Sequence, residues 1–193
     1  MKVLTYPHPV LKYPCKPIQK INNELKNIVS EMFEAMYRDE GVGLAANQVG
    51  LPLQLFVMNP TADEEQKEEE YVFINPVILK KKGKVIDNEG CLSFPGIRAE
   101  VIRSEFVDVE GINLNGEVQR FQWTDFPARI VQHETDHLNG VGFVEHLTET
   151  ALLTVKEELD ELLVNFEGDI NRGFILPENE IYRQLREIEE RFC

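Results

Sequence analysis

The stretch Gln132-His133-Glu134-Thr135-Asp136-His137 restricts what this chain can become more than any other. On an α-helix, residues four apart are neighbours on one face, so the two imidazoles can reach a single metal ion. At ~100° of turn per residue, Glu134 lies off to one side, placed to handle a metal-bound water rather than the metal. The flanks favour a helix of the right length. Asp125 is a cap, Pro127 fits a first turn where its missing N–H costs nothing, and Asn139-Gly140 is a stop signal after Leu138. Phe126, Ile130, His133 and His137 share one stripe at the 3.6-residue period, so the histidines fall on the apolar, inward face. A surface helix with two chance histidines is the bland alternative, and that inward placement argues against it.

The 193 residues suffice for one domain with a full core and no staples. No stretch approaches 18 apolar residues and no apolar signal core opens the chain, so we expect a cytoplasmic protein without a membrane association. Cys15, Cys91 and Cys193 are odd in number and far apart, which argues against a disulfide framework and leaves each thiol free for chemistry. The net charge of −14 is uneven: residues 61–70 carry −5 and residues 149–193 carry −7, so the remainder is close to neutral. A basic nucleic-acid footprint is absent, and no direct nucleic-acid binding is expected.

Four prolines in residues 1–20 predict an extended lead-in. Leu25, Ile28, Val29, Met32, Phe33 and Met36 predict an amphipathic helix capped by Asn22 or Asn23 and ending at Gly41. The small-residue stretch Gly41 to Gln48 follows as a loop, where backbone can approach a ligand closely and Gln48 offers an amide donor; a tight packing loop would look similar. Strands are expected at about 53–58 and at 71–79, with Pro76 at an edge or a bulge. The acidic residues 61–70 read as a solvated loop, and Lys80, Lys81, Lys82 and Lys84 as a small basic turn. Glu89-Gly90-Cys91-Leu92-Ser93-Phe94-Pro95 interrupts the strand pattern. Its cysteine is either a core residue or the third ligand the histidine pair still needs, thiolate being a strong one. Strands at about 99–109 and 117–124 join through the hairpin signal Asn113-Leu114-Asn115-Gly116. Further helices are predicted at 150–163 and 178–192. The whole is an α+β domain, with mostly antiparallel sheets packed around a central metal-binding helix.

Together, GVGLAANQ (41–48), EGCLS (89–93) and QHETDH (132–137) resemble the three motifs of the peptide deformylases, in the family's order and at similar separations. The opening VLTYPHPVLKYPCKPI and the early helix look like the family too, so the likeness covers roughly residues 3–147. Asn47 stands where a proline is common, and Gly142 where a larger apolar residue is usual. The resemblance implies that Cys91, His133 and His137 hold one divalent ion, iron(II) in the cell, with nickel or cobalt active and zinc often poor. Ligand types alone suggest zinc. It implies hydrolysis by metal-activated water, with Glu134 as general acid and base and the oxyanion stabilised by the metal, the Gln48 amide and the Leu92 N–H. The substrates would be N-formylmethionyl nascent peptides, and the products formate and a free N-terminal methionine. Val42 and Gly43 by resemblance border the substrate, and Phe126 and Ile130 are candidates for the wall of a methionine pocket. Arg103 is the family-like partner for Glu89, and Asp136 is a candidate to hold a ligand imidazole or to cap neighbouring backbone, a solvated carboxylate being the bland alternative.

Two other readings compete. A zinc endopeptidase would recruit a downstream glutamate, with Glu157 or Glu158 at hand. A structural zinc domain would need a fourth donor, and only the remote Cys15 and Cys193 offer sulfur. Residues 1–148 are expected to form the catalytic core. Residues 149–193 are expected to form an acidic helical extension that packs on it or on a second subunit, with no more than transient proximity to the ribosome.

Overall fold

The computed structural model describes residues 1–193. Helix α1 (Asn23–Arg38) begins where Asn22 accepts a hydrogen bond from the Leu25 N–H at 2.9 Å, satisfying one of the first-turn donors. It buries Leu25, Val29, Met32, Phe33 and Met36, the expected apolar stripe. Strands β1 (Gly43–Ala45), β2 (Leu55–Met58), β3 (Tyr71–Lys82), β6 (Phe106–Ile112) and β7 (Val118–Thr124) form an antiparallel sheet of order β1-β2-β3-β6-β7. Strands β4 (Val85–Cys91) and β5 (Phe94–Arg103) pair as a separate two-stranded sheet. Helix α2 (Asp125–Leu138) packs against β1, β2, β6 and β7, and α3 (Glu149–Thr154), α4 (Lys156–Asn171) and α5 (Glu178–Phe192) follow.

Side-chain alternation along β2 decides how the layers form. Leu55 and Val57 face α1 and join Leu25, Met32, Met36 and Leu44, whereas Phe56 and Met58 face α2 and join Phe73, Val107, Val109, Val131 and Leu138. The part of the large sheet around β2 is therefore covered on both faces, and α2 lies between the sheet and the β4–β5 hairpin. The expected α+β architecture around this helix is the one observed.

Several local expectations are corrected. The strand expected at 99–109 is two strands in different sheets, broken at Ser104-Glu105. There the Gln132 side chain binds both the Ser104 N–H (3.0 Å) and the Ser104 carbonyl (2.9 Å), in place of a ladder partner. Of the edge or bulge expected at Pro76, the bulge is observed, in the central strand β3 where the register shifts between Ile74 and Val77. Asn75 makes that bulge tolerable: at φ 51° its side chain exchanges bonds of 2.7 and 2.8 Å with the Ile18 backbone. Lys80, Lys81 and Lys82 continue β3 rather than forming a turn, and they stay exposed. Asp125 is not the cap of α2; Thr124 occupies that position, and Asp125 begins the helix at φ 56°. The helix expected at 150–163 divides at Val155, which is buried against Phe94, Val101 and Phe143.

The last helix joins the core. Phe192 is buried with the α1 cluster, and Ile181 and Leu185 close over Val10. The Gln19 N–H donates to the Phe192 carbonyl at 2.8 Å, and Arg191 pairs with Glu24 at the start of α1. No helix of the structure is long and apolar enough to cross a membrane.

Candidate metal centre and active-site cleft

Two elements that meet nowhere in sequence converge on one point. The β4–β5 hairpin delivers Cys91 from the end of β4, and α2 delivers His133 and His137 from adjacent turns. Their ligand atoms all lie within 4.8 Å of one another. Cys91 Sγ is 3.1 Å from His137 Nε2, which is 3.2 Å from His133 Nε2. Tetrahedral ligands at ~2.0–2.3 Å from one ion lie roughly 3.3–3.7 Å apart, so the donor set fits a shared cation. Burial holds the His137 pKa well below the usual histidine range. At His133 burial acts the same way but is outweighed by hydrogen bonds to Cys91 and Glu89, which raise its pKa well above that range. The two imidazoles thus sit in unlike surroundings, and the fit to a divalent ion rests on the closeness of one sulfur and two ring nitrogens.

Behind the ligands stands a charged scaffold. His133 Nδ1 donates to Glu89 Oε2 at 3.0 Å, which leaves the Nε2 lone pair facing the cluster. Glu89 is 5% exposed, so burial alone would raise its pKa. Hydrogen bonds from His133 and Arg103 prevail and hold it well below the carboxylate range. Arg103 makes the bidentate pair expected with Glu89, at 2.8 and 3.0 Å. Asp136 differs from its expectation: it binds Arg103 and His146, not a ligand imidazole. Burial pushes its carboxyl up, but the bonds from His146 and Arg103 prevail and leave its pKa lowered.

Glu134 is 4% exposed, and its Oε2 has no hydrogen-bond partner, which is costly for a buried carboxylate unless a reacting molecule uses it. Burial is the main cause that pushes its pKa up to about 7. Space for it comes from Gly43, where an added Cβ would lie 2.5 Å from Glu134 Oε1. Gln48 is held amide-first toward the cluster. Its Oε1 accepts from the Ala45 N–H at 2.8 Å, while Nε2 reaches Ser93 Oγ (3.1 Å) and Cys91 Sγ (3.5 Å). A cleft of about 910 Å³ opens over these groups, and Val42, Gly43, Gln48, Cys91, Leu92, Phe126, Ile130, His133 and Glu134 all line it. Every site residue expected from sequence thus borders this cleft or, for His137, the cluster beneath it.

Sequence reasoning missed Arg129, Ser93 and Asn47. Arg129 is buried and binds Glu89 Oε1 at 2.6 Å. The Asn47 side chain donates to the His137 carbonyl, tying the loop before β2 to the end of α2. Gly142 has a local reason, since a Cβ there would approach the Phe94 ring to 3.0 Å.

Comparison with known proteins agrees with this geometry. The family model described as polypeptide deformylase matches residues 1–152. Peptide deformylase 1B, chloroplastic/mitochondrial, of Arabidopsis thaliana is 42% identical over 187 residues, covering 96% of this chain and 67% of that protein. The peptide deformylase of Rhodopirellula baltica is 38% identical over 189 residues, covering 98% and 94%. Among solved structures, the Arabidopsis thaliana 1B enzyme in complex with an inhibitor superposes with a TM-score of 0.84 at 42% identity, over 88% of this chain and 93% of that one. The Plasmodium falciparum peptide deformylase gives 0.84 at 34% identity, over 86% and 97%. With three motifs converging on one cleft and a fold shared along nearly the whole chain, this protein belongs to the polypeptide deformylase family.

Proposed function

We infer that this chain hydrolyses the formyl group from N-formylmethionyl peptides, releasing formate and a free N-terminal amine. The observation that carries the reading is one Cys91–His133–His137 cluster under a cleft, with an unpartnered carboxylate oxygen of Glu134 beside it. An ion held by these three residues would supply Lewis acidity, making water nucleophilic near neutral pH and polarising the formyl carbonyl. Glu134 moves the proton. Oε2 takes it from the attacking water and returns it to the departing amine nitrogen as the C–N bond breaks. The burial of Glu134 and its unpartnered Oε2 leave that oxygen free for the exchange. The Gln48 amide, already turned toward the cluster, and the Leu92 N–H receive the negative charge that develops on the formyl oxygen. Val42 and Gly43 border the bound peptide, and Phe126 and Ile130 wall the methionine side chain.

Iron(II) is the ion we assign in the cell, on the resemblance of the motifs; zinc, nickel and cobalt suit the same donors. Residues 1–148 form the catalytic unit in this reading. The 149–193 extension serves the core through its buried Ile181, Leu185 and Phe192. Its net charge of −7 opposes anchoring to RNA, so encounters with ribosome-borne nascent chains are transient. The compartment is the one where chains begin with formylmethionine, which we take to be the cytoplasm. An endopeptidase reading finds no support: neither Glu157 nor Glu158 lines the cleft.

Offering a formyl-methionyl peptide and quantifying formate tests the proposal. Formate with the peptide backbone intact is expected. Cleavage of an internal bond, or no reaction from protein carrying one ion per chain, refutes it.

A further inference from the structure

Glu89 is held by more than one arginine, and the second has a task of its own. A carboxylate offers about four lone-pair sites. Here all four are used: Arg103 Nε and Arg129 Nη1 donate to Oε1 at 2.8 and 2.6 Å, and Arg103 Nη2 and His133 Nδ1 reach Oε2 at 3.0 Å each. Arg129 precedes His133 by one helical turn on α2, so the two side chains leave the same face and grip opposite oxygens of one carboxylate. The same Arg129 guanidinium donates to the carbonyls of Val101 on β5 (3.0 Å) and Val85 on β4 (3.2 Å). It is 4% exposed, and α2 carries no other side chain hydrogen-bonded to both strands of the hairpin.

We propose that Arg129 is a positioning residue for the metal centre, clamping the Cys91-bearing hairpin to the histidine-bearing helix and fixing the Glu89 carboxylate that orients His133. The clamp is needed because the three ligands come from two elements with no covalent or ladder connection at this point. Small sliding of β4–β5 against α2 would carry Sγ away from the Nε2 pair while leaving each element intact. Arg103, from β5, ties the hairpin to α2 at Asp136 beside His137, and Arg129 adds a second tie two turns earlier that holds both strands. Arg129 also adds a second guanidinium to the buried Glu89, whose other cationic partner, Arg103, is shared with Asp136. Removing a group that supports a ligand histidine typically weakens metal affinity by roughly 10–100-fold.

This inference rests on Cys91, His133 and His137 being the metal centre, and one experiment separates the two. Full-length protein is loaded with cobalt(II), and the sulfur-to-cobalt absorption band and the rate of cobalt loss to a chelator are recorded, with circular dichroism and Tm alongside. Failure of the parent protein to bind cobalt with a thiolate band overturns the metal-centre reading. If the parent binds, Arg129→Met is expected to keep the helical signal, alter the band and lose cobalt roughly 10–100-fold faster. A merely structural arginine would lower Tm and leave cobalt retention in the folded protein unchanged, and that result overturns the proposal. If Arg129→Met does not fold, Arg129→Lys decides. Lysine restores the charge beside Glu89 but cannot span Glu89, Val101 and Val85 together. Faster cobalt loss than the parent supports the clamp, and parental retention refutes it.

Discussion

Gly43→Ala is the smallest change that should separate folding from catalysis. Gly43 has no positive φ, so alanine meets no backbone penalty there. The obstacle is space. The new methyl would lie 2.5 Å from Glu134 Oε1, 2.9 Å from Glu134 Cδ and 2.9 Å from Ile130 Cγ2, whereas ordinary contact begins at 3.4 Å. Ile130 and Glu134 are one turn apart on α2, which is locked between the sheet and the hairpin, so the helix cannot retreat as a body. The Glu134 carboxylate must therefore move by about an ångström, a displacement that costs on the order of 10²-fold in rate for a positioned catalytic group. At ~1.36 kcal/mol per decade this is ~2.7 kcal/mol of lost transition-state stabilisation. The overpacking itself should cost about 1–3 kcal/mol of stability, which a well-folded domain survives. Formate release by the folded, metal-loaded variant is the assay, with metal content measured on the same sample. We expect full metal and a kcat lower by about 10²-fold. A folded variant with parental kcat would show that Glu134 does not act from the position seen here.

Other perturbations address separate parts of the argument. Cys91→Ser should lose metal and turnover together, because a hydroxyl is a far poorer ligand than a thiolate; full metal content in that variant removes Cys91 from the ligand set. Glu134→Gln should keep its metal and lose roughly 10²–10⁴-fold in turnover, as loss of general acid–base catalysis does; a metal-free but folded product would make Glu134 a ligand. The same residue gives a pH signature in chelator-treated protein. Its pKa is raised on folding from 4.5 to about 7, so its stabilising contribution is full below 4.5 and is lost as pH rises through about 7. Between pH 5 and 8 the Tm of Glu134→Gln should therefore fall less than that of the parent, and parallel profiles would contradict the assignment. Phe192→Ala removes a side chain 1% exposed in the α1 cluster and should cost ~3–5 kcal/mol in urea unfolding. An unchanged midpoint would mean that α5 is not part of the fold's core.

Local patterning along the chain was enough to identify the α2 helix, the inward placement of its two histidines, a cap for α1 at Asn22 or Asn23 and the Asn113–Gly116 hairpin. Each depends on neighbours within a few residues, through helical periodicity or turn chemistry. The grouping of Cys91, His133 and His137 was also readable, through the resemblance of the three motifs to a known family. Contacts between distant segments were not readable. The break at Ser104 exists because the Gln132 amide, 28 residues away, takes over its backbone groups. The bulge at Pro76 is held by Asn75 reaching back to Ile18. Arg129 was overlooked for the same reason. A buried arginine on an apolar helix face demands a counter-charge, but only the packing of β4 against α2 reveals that Glu89 supplies it and that His133 shares it. Sequence alone thus determined which side chains could do the chemistry. Tertiary structure decided how they are held, because the charges and carbonyls that fix them lie far apart along the chain and become neighbours only when the sheets close on α2.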